Sequence, residues 1–208
     1  MSYNIFGGDM FTYFNNWNGD FIMSTNSLVA YLREDGSVVS SYVHWDGYTT
    51  SVGLTLLENY NSEESASSLA TELGYASSLR ETIEASLEDR ANSDEAVEHS
   101  SFAEFESYVR DNSYIEYAYI WRNGTWNVGS YTSEKIGTGR FAEYNYNWNG
   151  WEDLTTVFVR EGYAEINRIN NNSSLSSEYR EWASELSDMV MSWDRVVSSR
   201  IGNELATL

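Results

Sequence analysis

The sequence predicts an α+β fold: a mostly antiparallel sheet built from β-hairpins, with several helices and a long C-terminal amphipathic helix packed against it. Three observations predict it. Residues 27–44 and 113–130 each read as two strand-forming runs folded back over an Asp-Gly or Asn-Gly turn. Between them, residues 51–110 repeat apolar side chains at helical spacing. From Leu175 to Ile201, Leu175, Tyr179, Trp182, Leu186, Met189, Trp193 and Val196 step by four and three along one face.

Composition allows such a body. The chain has 208 residues, 41% hydrophobic and 15% aromatic, enough to bury a core. It has no cysteine, which excludes disulfides, thiolate metal sites and a cysteine nucleophile. No apolar stretch approaches the roughly 18 residues of a membrane span. Met1 to Asp20 lacks a basic region ahead of an apolar run, so no secretion signal is expected there. The expected location is therefore cytoplasmic, and the sequons at Asn123 and Asn172 are read as accidental.

In chain order, residues 1–22 are rich in Asn, Gly and aromatics and read as an N-terminal arm or hairpin around Asn18-Gly19. Residues 23–208 read as one α+β domain with a helical insertion at about 51–110. Leu28 to Leu32 and Val38 to His44 are strands around Asp35-Gly36. Val52, Leu56 and Tyr60 mark a helix over 51–60. Ser62 with Glu63 and Glu64 starts the next, and Gly74 stops it. Leu79, Ile83 and Leu87 share a face of a helix over about 78–91. Ser101 with Glu104 forms a capping-box pattern ahead of Phe102, Phe105, Tyr108 and Val109. Further strands are expected over 140–148 and 154–160, joined through Asn149-Gly150, and Asn170 to Ser174 is a polar linker.

The stretch Tyr31-Leu32-Arg33-Glu34-Asp35-Gly36 to His44-Trp45-Asp46-Gly47-Tyr48, followed by Leu56-Leu57-Glu58-Asn59-Tyr60, resembles a family of small uncharacterised bacteriophage and prophage proteins. Their signature is strand, Asp-Gly turn, strand, then His-Trp-Asp-Gly-Tyr leading into a helix. Gly74-Tyr75-Ala76-Ser77-Ser78-Leu79 and Tyr119 to Trp126 match later segments of such proteins. The likeness covers roughly half the chain; residues 1–22 and 150–208 lie outside it. Relatives usually carry Pro after the Tyr and Cys before the His, where this chain has Thr49 and Val43. The resemblance implies a phage-type accessory protein and no particular reaction.

The signature supplies one candidate site: His44, Trp45, Asp46 and Tyr48 as a ligand pocket. In an extended segment His44 and Asp46 fall on one side. Such a pair can act as a general base, or bind a metal if a third ligand arrives. The competing structural reading is a capping Asp46, a hydrogen-bonded His44 and packing rings. His99 and Ser101 lack an orienting acid and a nucleophile elbow, and Ser101 reads as a cap. Asn145 to Gly150 imitates half a calcium loop without its opening Asp, and Thr156 stands where the bidentate Glu belongs. Gly137-Thr138-Gly139-Arg140 lacks the lysine of a phosphate loop. No catalytic residue, metal or cofactor is assigned.

Charge is the strongest global feature. There are 32 acidic against 12 basic residues, a formal −20. This field repels nucleic acid and anionic lipid, so neither direct nucleic-acid binding nor membrane binding is expected. Acidity also serves plain solubility. From Glu58 to Glu106 the acidic residues meet only Arg80 and Arg90. On a helix over 78–91, Glu81, Glu84, Glu88 and the neighbouring Asp89 would form a partner-binding row, with neighbours about 4.5 and 6 Å apart along the axis. Phosphates along nucleic acid have a comparable spacing. The expected function is an acidic accessory protein acting by protein–protein contact, as a nucleic-acid-mimicking inhibitor of a basic host protein. The alternatives are a small enzyme or metal-dependent binder centred on His44 and Asp46, and a virion or assembly component. The C-terminal helix is a candidate surface for a homo-oligomer.

Overall fold

The computed structural model describes residues 25–88, 93–112, 114–136 and 143–206. The expected arm at 1–22, the end of the expected 78–91 helix with Asp89, and the 137–140 turn lie outside the described residues.

The fold is α+β, and its sheet is mixed. The first hairpin is β1 (Ser27–Leu32) and β2 (Val38–Val43), paired antiparallel from Ser27↔Val43 to Leu32↔Val38. A π-helical turn at Thr49–Gly53 runs into α1 (Leu54–Asn59), then α2 (Glu63–Glu72), β3 (Tyr75–Ala76) and α3 (Ile83–Glu88). β4 (Val97–His99) and α4 (Phe102–Asp111) follow, then the second hairpin, β5 (Tyr117–Arg122) and β6 (Thr125–Ile136). The chain ends in β7 (Glu143–Asp153), α5 (Leu154–Asn170) and α6 (Ser177–Ala206).

The order across the sheet is β3-β2-β1-β5-β6-β7, with β4 also on β2. Antiparallel hairpins therefore flank a parallel centre, because β1 and β5 pair in parallel from Ser27↔Tyr117 to Tyr31↔Trp121. That pairing buries both faces of β1, which explains its unbroken Leu28-Val29-Ala30 run. A local reading sees each hairpin but not which strands meet after a long crossover.

Alternation sends Val29, Tyr119, Trp126 and Val128 to one face, where Leu56, Leu69, Leu154, Phe158, Leu186 and Val190 from the helices complete the larger core. Leu28, Ala30, Val38, Ala118 and Ile120 face the other way, under Phe105 and Val109 of α4.

Two expectations over 140–160 are corrected. Asn149-Gly150 is not a hairpin turn. Gly150, at φ +81°, sits inside β7 opposite a register shift between Gly129 and Tyr131, where a bulge takes the positive φ. Residues 154–160 are not a strand but the start of α5, capped by Asp153 accepting from the Thr156 amide at 3.0 Å. Their β-branched residues favour a strand locally. Burial of Leu154, Val157 and Phe158 along one helical face overrides that preference. The calcium-like 145–150 stretch is part of β7, in keeping with the strand expected over 140–148.

The expected long helix is present as α6. Leu186 and Val190 are buried, and Trp182, Met189 and Trp193 pack against the larger core. Gly162 of α5 lets the two helices approach: a Cβ there would lie 2.4 Å from Val190 Cγ2. The central part of the apolar face considered for self-association thus packs within the chain. No helix among the described residues is long and apolar enough to cross a membrane.

Candidate functional site

The signature loop continues β2. His44 and Trp45 donate from their amides to Ala76 and Ser77 at 3.0 and 2.9 Å, extending the pairing with β3. At Asp46 the chain turns left-handed, φ +59°. The Asp46 carbonyl accepts from the Val52 amide, and the Gly47 amide donates to Thr25 at 2.8 Å. The buried Tyr119 hydroxyl donates to the Gly47 carbonyl at 2.7 Å. Asp46 thus serves the start of the following helical turn through its backbone.

The expected His44–Asp46 pair is not formed. The left-handed residue breaks the alternation on which the pairing rested, and no hydrogen bond joins the two side chains among the described residues. His44 Nδ1 instead meets the Tyr42 hydroxyl at 3.3 Å, with Trp45 edge-on at 4.4 Å between ring centres and Tyr75 stacked at 6.4 Å. Burial pulls the His44 pKa down and pushes the Asp46 carboxyl up, so both shift toward their neutral forms. Tyr48 is exposed and edge-on to Tyr117. Among the described residues no cluster of three His, Asp or Glu side chains is placed to hold a metal ion.

His99 is buried, its Nε2 at 2.9 Å from Ser40 Oγ, between the rings of Phe105 and Tyr108. It does not pair with Ser101, which caps α4 by accepting from the Glu104 amide at 3.2 Å. Burial lowers the His99 pKa, against a partial opposing pull from Glu104 and Glu98. The unfolded chain therefore takes up the proton first. Stability is full above about pH 6.5 and falls as pH drops below it, by at most about 1.4 kcal/mol per pH unit for this group. Asp46 and Glu116, raised by burial, act oppositely at lower pH. Urea unfolding of the native chain and of His99→Gln at pH 7.5 and 5.5 isolates the histidine. The stability gap between the two should narrow on acidification; an unchanged gap would refute the assignment.

The acidic row takes a different form from the one expected. α3 is six residues long, so Glu81 lies in the turn before it and the row is not one stiff helix face. That turn is nevertheless well held. The Tyr60 hydroxyl donates to the Arg80 carbonyl at 3.0 Å, Ser86 Oγ accepts from the Arg80 amide at 2.9 Å, and Thr82 Oγ1 caps Ala85 at 3.1 Å. Opposite stands the start of α2, held by a reciprocal Ser62–Ser65 capping box. Between them runs an open groove of about 360 Å³ whose acidic lining is Glu64, Glu81 and Glu84, with Ser62, Ser65 and Ser68 between. Glu88 lies one turn beyond Glu84, exposed and outside the lining. The Tyr60 hydroxyl on the groove floor is pushed up to about 12, by burial first and also by Glu84 and Glu81.

Five arginines are engaged elsewhere. Arg160 pairs with Glu152, Arg168 with Glu165 and Arg200 with Asp153, all on β7, α5 and α6. Arg33 neutralises Glu98, and Arg122 lies over the rings of Phe102 and Trp151 at 5.0 and 5.7 Å. Among the described residues no cation pairs with Glu64, Glu81 or Glu84. A cationic group entering the groove therefore displaces no ion pair of these three glutamates among the described residues.

Sequence reasoning found Glu81 and Glu84 but missed Glu64 and the serines facing them, and missed Tyr42 and Tyr75 beside His44, with Tyr114 against Tyr42. Glu64 carried a signal as part of a helix start, but nothing local tied it to residue 81. No family model, curated protein or solved structure matches the chain.

Proposed function

We propose that the protein is a non-enzymatic, phage-type accessory protein that binds a basic host protein through the groove between α2 and the 81–84 turn. In this reading it acts in the host cytoplasm and inhibits its partner by occupying a surface made for nucleic acid. The observation that carries the reading is the placement of Glu64, Glu81 and Glu84 around one hydrogen-bonded groove, with no ion pair to any of the three among the described residues. Glu88 continues the negative edge. Carboxylates carried on a hydrogen-bonded turn and a capped helix start present a field that a cationic cavity can meet. The −20 net charge adds long-range attraction for a basic partner and faster encounter.

The test is capture from a bacterial lysate at low and at high salt, with duplex DNA as competitor. The native chain should retain a basic partner at low salt, release it at high salt and lose it to DNA. Glu81→Lys with Glu84→Lys should weaken retention by about tenfold or more. A partner indifferent to salt, to DNA or to the charge reversal sinks the reading.

A further inference from the structure

We propose that the tyrosine–histidine cluster at the β2–β3 edge of the sheet is a docking site for an arginine side chain of a protein partner. The site goes beyond the acidic groove, because it lies on the opposite face of the sheet. Tyr42 belongs with the α4-side core, whereas Tyr60 and Ile83 of the groove belong with the other.

The cluster is assembled from three separate chain segments. Tyr42 stacks on Tyr75 of the neighbouring edge strand at 5.5 Å and 29°, and Tyr114 stands edge-on to Tyr42 at 6.4 Å. His44 continues the row, stacked toward Tyr75 at 28°. The rings are not enclosed: Tyr114 is 49% exposed, and Tyr42, His44 and Tyr75 are half-buried. β3 pairs with β2 through Tyr42↔Tyr75 and Val43↔Ala76, so the row ends at the border of the sheet.

Three observations select a guanidinium as the occupant. First, His44 and Tyr42 are uncharged at neutral pH. Burial holds His44 toward its neutral form, and burial with the neighbouring tyrosines lifts the Tyr42 hydroxyl to about 12. Ring faces attract a cation, and neutral hydroxyl oxygens can accept its N–H groups. Second, the molecule as a whole is strongly acidic, with a formal net charge of −20. This suits a cation and disfavours a nucleobase with its phosphate. Third, the protein already seats a guanidinium this way on the same sheet face, where Arg122 lies over Phe102 and Trp151. The rings of Tyr42, Tyr75 and Tyr114 carry no such arginine among the described residues. A planar guanidinium stacks on aromatic rings better than a strongly hydrated ammonium does, so arginine is chosen over lysine.

The test titrates the protein with a blocked peptide of six arginines spaced by glycines, and with its lysine counterpart, by calorimetry. The arginine peptide should bind roughly three- to fivefold more tightly than the lysine peptide. Tyr75→Leu with Tyr114→Leu should bring that ratio close to one, and Tyr75→Phe with Tyr114→Phe, which keeps the rings, should preserve it. Far-UV circular dichroism and the thermal midpoint confirm that each variant is folded. Equal affinities in the native chain, or a ratio unchanged in the leucine variant, overturn the proposal. So does preferential binding of a neutral oligosaccharide that the leucine variant loses. Glu81→Lys with Glu84→Lys separates the two sites. Reversal at the groove should weaken both peptides alike and leave the ratio intact. A failed groove would show as indifference to reversal, and a failed tyrosine site as indifference to the leucine variant.

Discussion

Trp126→Ala is expected to lower stability by roughly 3–5 kcal/mol, with about 1 kcal/mol more for the carbonyl it strands. Trp126 is 0% exposed, and its indole N–H donates to the Tyr60 carbonyl at 2.9 Å. Its ring stands edge-on to Trp121 at 5.6 Å. Truncation removes the largest fully buried side chain among the described residues and leaves a cavity beside Tyr60 at the end of α1. A loss of that size is a large share of the roughly 5–15 kcal/mol typical of a domain. It corresponds to a thermal midpoint about 10 °C lower for a chain of this length. Tyr60 also floors the acidic groove, so the same change loosens the site. Trp126→Phe, which keeps a ring but no N–H, should lose about half as much. Urea unfolding measures all three chains, and a loss below about 1 kcal/mol for the alanine variant would contradict the packing described.

Gly74→Ala is the second large effect. Gly74 has φ +62°, a conformation that costs an L-residue about 1–2 kcal/mol. A Cβ there would also lie 2.0 Å from the Asp94 carbonyl oxygen. The residue has no freedom to move away. Its amide donates to Ser41 Oγ at 2.9 Å and its carbonyl accepts from the Tyr42 amide at 2.8 Å. Alanine must therefore displace the 93–95 segment or break the entry to β3, at a total of roughly 3 kcal/mol or more. Gly124→Ala is the control. Gly124 has φ +76° with nothing within 4 Å of an added Cβ, so it should show the conformational part without the clash, about 1–2 kcal/mol. Matching losses at the two positions would show that the contact with Asp94 is immaterial.

Gly74 also illustrates how much of the molecule was legible beforehand. Its role in ending α2 follows from sequence, since glycine is the residue that accepts a left-handed end. Its closeness to Asp94, 20 residues on, does not. The same division holds elsewhere. Ser62 and Ser101 announce helix starts because a cap acts within one turn, and Asn123-Gly124 announces the β5–β6 turn because the dipeptide suits its backbone angles. Residues 154–160 misled because β-branched side chains favour strands locally while the core rewards a helix.

The candidate sites divide the same way. Acidic excess between Glu58 and Glu106 is a property of composition, so it was visible without coordinates. That Glu81 and Glu84 face Glu64 across a groove, that Glu88 lies outside it, and that His44 turns to Tyr42 and Tyr75 and not to Asp46 depends on which segments meet.

By itself the sequence determined the local elements, the two hairpins, the caps, the amphipathic C-terminal helix and the sign of the surface field. These depend on neighbours within a few residues, or on totals that need no geometry. The tertiary structure decided the parallel β1–β5 centre, the helical fate of residues 154–170 and the composition of both candidate sites. Each of these is settled by burial between residues distant in the chain, a free energy that no local pattern carries.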